Sequence, residues 1–217
     1  MLAPQASRVN QNITFVIKKH KRLIKVKKSE STKAKLLKSS GKAFRRAGYA
    51  GIGVDSIAKD AGVTSGAFYA HLKSKNDAFR SALKAGLEEV VAALSDFREA
   101  HGSQWPEAFA DYYLGRDHQL DLECGCAMTS LTPDVVRVDP EVQSEYAAWM
   151  SRIVKEIAKH LPGDVPAHHQ EAKAWAFLST LIGGLTLARA VGAGPAASEI
   201  ERASKAAALG IIGPLGA

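Results

Sequence analysis

The sequence predicts an all-α protein, with a small basic helical unit ahead of a larger helical one. Three observations carry that reading. Apolar residues recur at helical spacing from Thr32 onward. Ala, Leu, Lys and Glu abound, while β-branched and aromatic clusters are few. A strand-like pattern competes only over residues 12–17. With 46% hydrophobic and 24% charged residues among 217, the chain has the composition of a packed protein. No period of 20 residues recurs, which argues against a repeat array.

The elements follow in order. Residues 1–31 read as a basic, flexible extension: KKHKRLIKVKKSES is too charged to pack. A plain tail and a functional arm both remain open for it. A first helix starts near Thr32 and buries Leu36, Ser40, Ala43, Phe44 and Ala47, and Gly48 stops it. A second helix spans Val54–Ala61. Gly62 supplies the positive φ of a tight turn, and Thr64 caps a third helix, Ser65–Leu72. Ser74, with Asp77 three residues on, opens a long fourth helix through Phe79, Leu83, Leu87, Val90, Leu94 and Phe97. Pro106 begins a helix carrying Phe109, Tyr112 and Tyr113. Residues 115–125 read as a loop or loose helix, and 126–138 as a short helical region broken at Thr132-Pro133. Asp139-Pro140 opens a strong helix that Pro162-Gly163 ends. Helices over 168–191 and 196–212 complete the chain.

Charge divides the chain more sharply than composition does. Residues 1–75 hold 17 Lys and Arg against three acids, net +14, and residues 76–217 hold 12 against 19, net −7. Basic charge on a small helical unit suits a polyanion, nucleic acid or anionic membrane. The longest apolar stretch, Ala174–Ala188, is shorter than the ~20 residues a bilayer crossing needs. The first residues lack the order of a signal peptide. Cys124 and Cys126, one residue apart, make no disulfide framework. The expectation is a cytoplasmic protein with no membrane partner.

Helix, glycine turn, helix, with another helix ahead, is the helix-turn-helix arrangement. Its second helix must offer small polar residues to a DNA groove while its apolar side packs inward. Thr64, Ser65, Gly66 and Ala67 suit close approach, and Tyr69, His71, Lys75 and Lys33 suit phosphate contact. Phe68 belongs to the same set as the residue expected to turn inward. The competing reading is a small helical subdomain in which Phe68 and Tyr69 are core.

Thr32–Phe79 resembles the DNA-binding domain of the tetracycline-repressor (TetR) family. The matching pieces are Phe44, Gly48-Tyr49, Val54, Ile57-Ala58, Ala61-Gly62-Val63, Gly66, Phe68-Tyr69, His71 and Ser74-Lys75, in order over about 48 residues. The resemblance implies a DNA-binding domain at 32–76 and a helical ligand-binding and dimerisation domain at 77–217. It implies a homodimer on a double-stranded DNA operator, and most often a repressor released by a small-molecule effector. Three positions depart from the family pattern. Ile52-Gly53 stands where Thr or Ser usually precedes the second helix, and Ser65 stands where Lys is frequent.

In the second half, Trp175, Leu178, Ile182 and Leu185 share a face with Gly183, which would let a partner helix approach. The same face could instead be intrachain core. Candidate effector contacts are Phe109, Tyr112, Tyr113, Cys126, Met128, Leu131, Tyr146, Trp149, Met150 and Ile153, each also suited to ordinary core. Cys126 raises an alternative, a thiol-based redox or electrophile sensor. Acidic Asp121 and Glu123 nearby weigh against the lowered thiol pKa it needs. His118, Asp121, Glu123, Cys124 and Cys126 have no recognised metal-ligand spacing. The chain carries no glycine-rich phosphate loop, G-x-S-x-G or HExxH. No cofactor and no catalytic activity are expected. A helical ligand-binding protein or enzyme without specific DNA binding is the remaining alternative.

Overall fold

The computed structural model describes residues 31–161 and 166–213. The extension expected over 1–31 lies outside them apart from Ser31, as do the run 12–17 and the helix end at Pro162-Gly163. All regular structure among the described residues is helical.

Three short helices come first: α1 (Thr32–Ala47), α2 (Val54–Asp60) and α3 (Ser65–His71). The apolar face of α1 buries Leu36, Ala43 and Phe44, with Ser39, Ser40 and Gly41 between them. Ala47, expected inside, is exposed, because the helix is already turning into its glycine stop. Gly48 takes φ 70 and Gly62 φ 71, so each turn occupies the left-handed region that a side chain disfavours. Ile57 and Ala58 of α2 and Phe68 of α3 close this small core. Ser39 Oγ donates to the Ile57 carbonyl at 2.9 Å, which satisfies a buried hydroxyl and pins α1 to α2.

The next helix, α4 (Lys75–His101), links the two halves of the chain. Its 27 residues span about 40 Å at 1.5 Å per residue. Ser74 caps it by accepting from the Asp77 amide at 3.0 Å. Near its start, Phe79 packs edge-on to Phe44 and Tyr49, both at 5.3 Å between centroids. Near its end, Phe97 packs edge-on to Phe109 at 5.5 Å. One helix thus contributes an aromatic residue to each end of one continuous core.

The remaining helices are α5 (Trp105–Leu114), α6 (Arg116–Leu120), α7 (Ala127–Ser130), α8 (Thr132–Val138), α9 (Pro140–Ala158), α10 (Ala167–Val191) and α11 (Pro195–Ile212). The stretch 115–125, open between loop and loose helix, resolves into α6 and an irregular segment. Asp139 caps α9 by accepting from the Val142 amide at 3.0 Å. The helix α10 is long and apolar enough, by length and composition alone, to cross a membrane. Its continuous length exceeds the apolar stretch seen in sequence because polar His and Gln residues begin it. Here Ala174, Phe177, Leu178, Leu181, Leu185 and Ala188 of α10 pack into the core.

That packing corrects part of the expected partner face. Leu178 and Leu185 are fully buried within the chain, on the side of α10 that meets its neighbours. The outward side carries Trp175, half-buried Gly183, and exposed Leu187 and Val191, while Ile182 at its edge is half-buried against the core. The paired glycines divide the same way. A Cβ on Gly184 would lie 2.5 Å from Ser204 Oγ of α11, so this glycine permits close intrachain approach. A Cβ on Gly183 would meet nothing within 4 Å.

Candidate nucleic-acid interface and effector cavity

The start of α3 is built by local capping. Thr64 Oγ1 accepts from the Ala67 amide at 3.2 Å and leaves its own proton free to donate. The inward side of α3 is Phe68, fully buried, followed by buried Leu72. The outward side is Thr64, Gly66, Tyr69 and His71, all exposed, with Ser65 and Ala67 half-buried between them. Tyr69 keeps 56% of its surface open. An aromatic residue so exposed beside a buried one shows which side of the helix faces away from the core. Phe68 has no surface to offer a partner and acts by packing alone.

Other members of the expected set lie outside α3. Lys33 is exposed at the first turn of α1. The Lys75 ammonium sits over the Tyr49 ring, 4.6 Å from its centroid, which holds its charge at the start of α4. Ser65 donates to Asp55 in the first turn of α2. Sequence inspection missed Asp55. This carboxylate orients the Ser65 hydroxyl and places a negative charge beside the start of α3. An acid at the first turn of a helix is ordinary, so nothing in the local pattern singled it out.

The ten effector candidates do not converge on one place. Phe109, Tyr112, Tyr113 and Cys126 line a common cavity of about 80 Å³, together with Gly86, Glu89, Val90, Ala93, His118 and residues 124–127. That is room for two or three waters, well below the ~300 Å³ typical of drug-sized ligand pockets. Met128, Leu131, Met150 and Ile153 are buried core outside its lining. Tyr146 lies apart, its hydroxyl 2.7 Å from Thr132 Oγ1. Trp149 borders a separate open hollow with Asp77, Arg80 and Glu145.

The cavity has an ordered polar wall. Tyr113 is buried, and its hydroxyl lies 2.8 Å from Thr129 Oγ1. His118 Nδ1 lies 2.8 Å from the Tyr113 carbonyl, and His118 Nε2 accepts from the Cys126 amide at 2.9 Å. With one nitrogen accepting an N–H, the other must donate, so the ring is neutral with its proton on Nδ1. Burial, aided by the nearby Arg189 guanidinium, lowers its pKa to about 4. Both ring nitrogens are therefore committed, which removes His118 from the set weighed for metal. Among the described residues, no group of three or more His, Cys, Asp or Glu is placed to hold a metal ion.

Burial pushes the Cys126 thiol up, against the opposing pull of Tyr113, backbone amides and Arg45. A raised thiol pKa disfavours the thiolate, and with it the sensor reading. Burial likewise raises the Tyr112 and Tyr113 hydroxyls.

Comparison with known proteins places this geometry. Residues 36–82 match the family described as "Bacterial regulatory proteins, tetR family". No curated protein matches the chain. Among solved structures, a TetR-family transcriptional regulator from Legionella pneumophila is 18% identical, with a TM-score of 0.70, covering 83% of this chain and 98% of its own. A TetR-family regulator from Agrobacterium tumefaciens is 18% identical, with a TM-score of 0.67, covering 81% and 96%. The superantigen PfiT also matches in structure, at 20% identity and a TM-score of 0.57, covering 83% and 97%. Likeness at these identities shows the fold alone. The family match covers the head: residues 36–82 are similar to the tetR family of bacterial regulatory proteins, on a chain whose fold resembles that of TetR-family transcriptional regulators.

Proposed function

We propose that the protein is a homodimeric transcriptional repressor that leaves its operator when a small molecule occupies the cavity beside Tyr112, Tyr113 and Cys126. The observation that carries the DNA-binding part is the two-sided α3. Its apolar side is fully buried, and Thr64, Ser65, Gly66, Tyr69 and His71 stand outward at the end that enters a groove in this arrangement. We divide the chain into a DNA-binding domain at 32–76 and an effector and dimerisation domain at 77–217, acting in the cytoplasm where its DNA is found.

Pairing is supported by the outward face of α10. Trp175 is 43% exposed, Leu187 57% and Val191 52%, beside the open Gly183. An isolated apolar face of this kind suits a second copy, and two heads suit a two-fold operator. The small cavity suits a compact effector, or one for which the cavity opens. Repression by release needs only ~1–3 kcal/mol of coupling between cavity and head.

The test is a gel shift against DNA upstream of the protein's own gene, over a salt series. A specific complex whose affinity falls steeply with salt is expected. Tyr69→Ala and Lys75→Ala should weaken it alike across sequences, and Lys75→Ala should reduce the salt slope by about one. Absence of a specific complex would sink the reading and favour a helical ligand-binding protein.

A further inference from the structure

The cavity and the head share a wall. Glu89, which lines the cavity from α4, accepts from Arg45 Nη2 of α1 at 3.2 Å. Glu123 directly precedes Cys124, a lining residue of the cavity. It accepts from Lys42 Nζ at 3.3 Å and from Arg46 Nη1 at 3.0 Å. Lys42, Arg45 and Arg46 stand at i, i+3 and i+4, so they form one stripe of α1. This stripe meets Glu89 of the cavity lining and Glu123 beside it, while Arg46 also pairs with Asp60 of α2 at 3.8 Å.

Arg45 is the member that commits the arrangement. Its side chain keeps only 9% exposure, and its Nε is buried without a partner. The guanidinium passes directly behind Gly86 and Ala127, which are cavity-wall residues. A Cβ on Gly86 would lie 2.7 Å from Arg45 Nη2 and 2.5 Å from the Ala127 Cβ. The loop carrying Glu123 is braced from its other side. Arg189 Nη2 donates to the His118 carbonyl at 2.7 Å and to the Asp121 carbonyl at 3.3 Å, and the Cys124 amide donates to Asp121 at 2.8 Å. With the loop held on that side, a shift of Glu123 would be relieved toward α1, and Glu89 reaches α1 through Arg45.

We propose that Glu89 and Glu123 are a latch through which occupancy of the cavity sets the position of α1 and, with it, the DNA-reading head. The proposal rests on the cavity being the effector site. Half-exposed pairs such as Lys42–Glu123 are individually weak, which suits a contact meant to open.

The experiment uses the full chain and a wall side chain in place of an unknown effector. Ala93→Phe enlarges a lining residue, and Ala93→Met does so with a smaller group should the ring prevent folding. Amide hydrogen exchange at residues 42–48 is read in the free protein, and affinity is read on upstream DNA. Ala93→Phe should speed that exchange and weaken DNA binding, each about fivefold. The double variant Glu89→Gln/Glu123→Gln should do the same. Ala93→Phe should then add less than about twofold in the double-variant background, because both changes open one contact. Additive effects, or exchange at 42–48 unmoved by either change, overturn the latch. Non-additive exchange with no specific DNA complex supports the latch and overturns the proposed repressor function instead.

Discussion

The start of α3 and the cavity beside Cys126 are both polar sites on helices, yet they are assembled in opposite ways. The first is local. Thr64 caps Ala67 three residues on, Asp55 reaches Ser65 across ten, and Gly62 sets the turn between them. The second is assembled from afar: Arg189 meets His118 across 71 residues, and Lys42 meets Glu123 across 81. A site closed by neighbours depends on turn chemistry. A site closed by distant segments depends on the whole core that brings them together. Perturbing one should therefore leave the other standing, unless the change falls in the core they share.

Phe44→Ala is the change that should break this separation. Phe44 is fully buried and packs on Phe79 of α4 as well as on the head. The loss should reach about 3–5 kcal/mol, read from urea denaturation. Two separate transitions in the variant would show that the head had uncoupled. One transition at lower urea would show that α4 keeps both ends of the core in one cooperative unit.

Acid should reach the cavity through His118. His118 is neutral when folded, with a pKa lowered to about 4 against an ordinary 6.5. Above pH 6.5 its contribution is complete. As pH falls from 6.5 toward 4 the unfolded chain takes up a proton that the folded chain refuses, and stability declines by at most about 3 kcal/mol. Asp121, Arg189, Tyr113 and Cys126 surround it and stay in place. His118→Asn should flatten the acid side of the stability profile. A slope between pH 6.5 and 4 unchanged by the substitution would contradict the neutral, doubly bonded ring.

Smaller effects sharpen the local side. Gly62→Ala meets no atom within 4 Å but must hold φ 71. A cost of about 1–2 kcal/mol is expected from backbone conformation alone, read as a lowered Tm with an unchanged DNA-binding salt slope. Thr64→Ala removes the cap of α3 for about 1 kcal/mol. Its DNA affinity should fall further than that stability loss accounts for, since the hydroxyl proton is free to donate. Equal losses would assign Thr64 to capping only.

The same contrast explains what was legible in the chain. The helices, their caps at Thr64, Ser74 and Asp139, and the glycine turns were readable because each signal sits within a few residues of its effect. The inward turn of Phe68 was readable for the same reason. The cavity was only partly so. An apolar pattern marks Met128, Leu131, Met150 and Ile153 as buried without saying whether they face a void or one another. They face the core, while Phe109, Tyr112, Tyr113 and Cys126 meet the void. Glu89 and Glu123 gave no signal, because a surface carboxylate acquires meaning only when a basic residue arrives from another part of the chain. Leu178 and Leu185 share a helical face with Ile182, and periodicity alone could not tell which neighbours that face meets.

Gly183 and Gly184 look like a single motif, but they answer to different constraints. Ser204 holds Gly184 to glycine in every folded copy, while the open side of Gly183 answers only to whatever covers it. A randomised library sorted for folding alone should keep glycine at 184 and let 183 drift. The same library sorted for pairing should hold both, so two adjacent letters would record two separate histories.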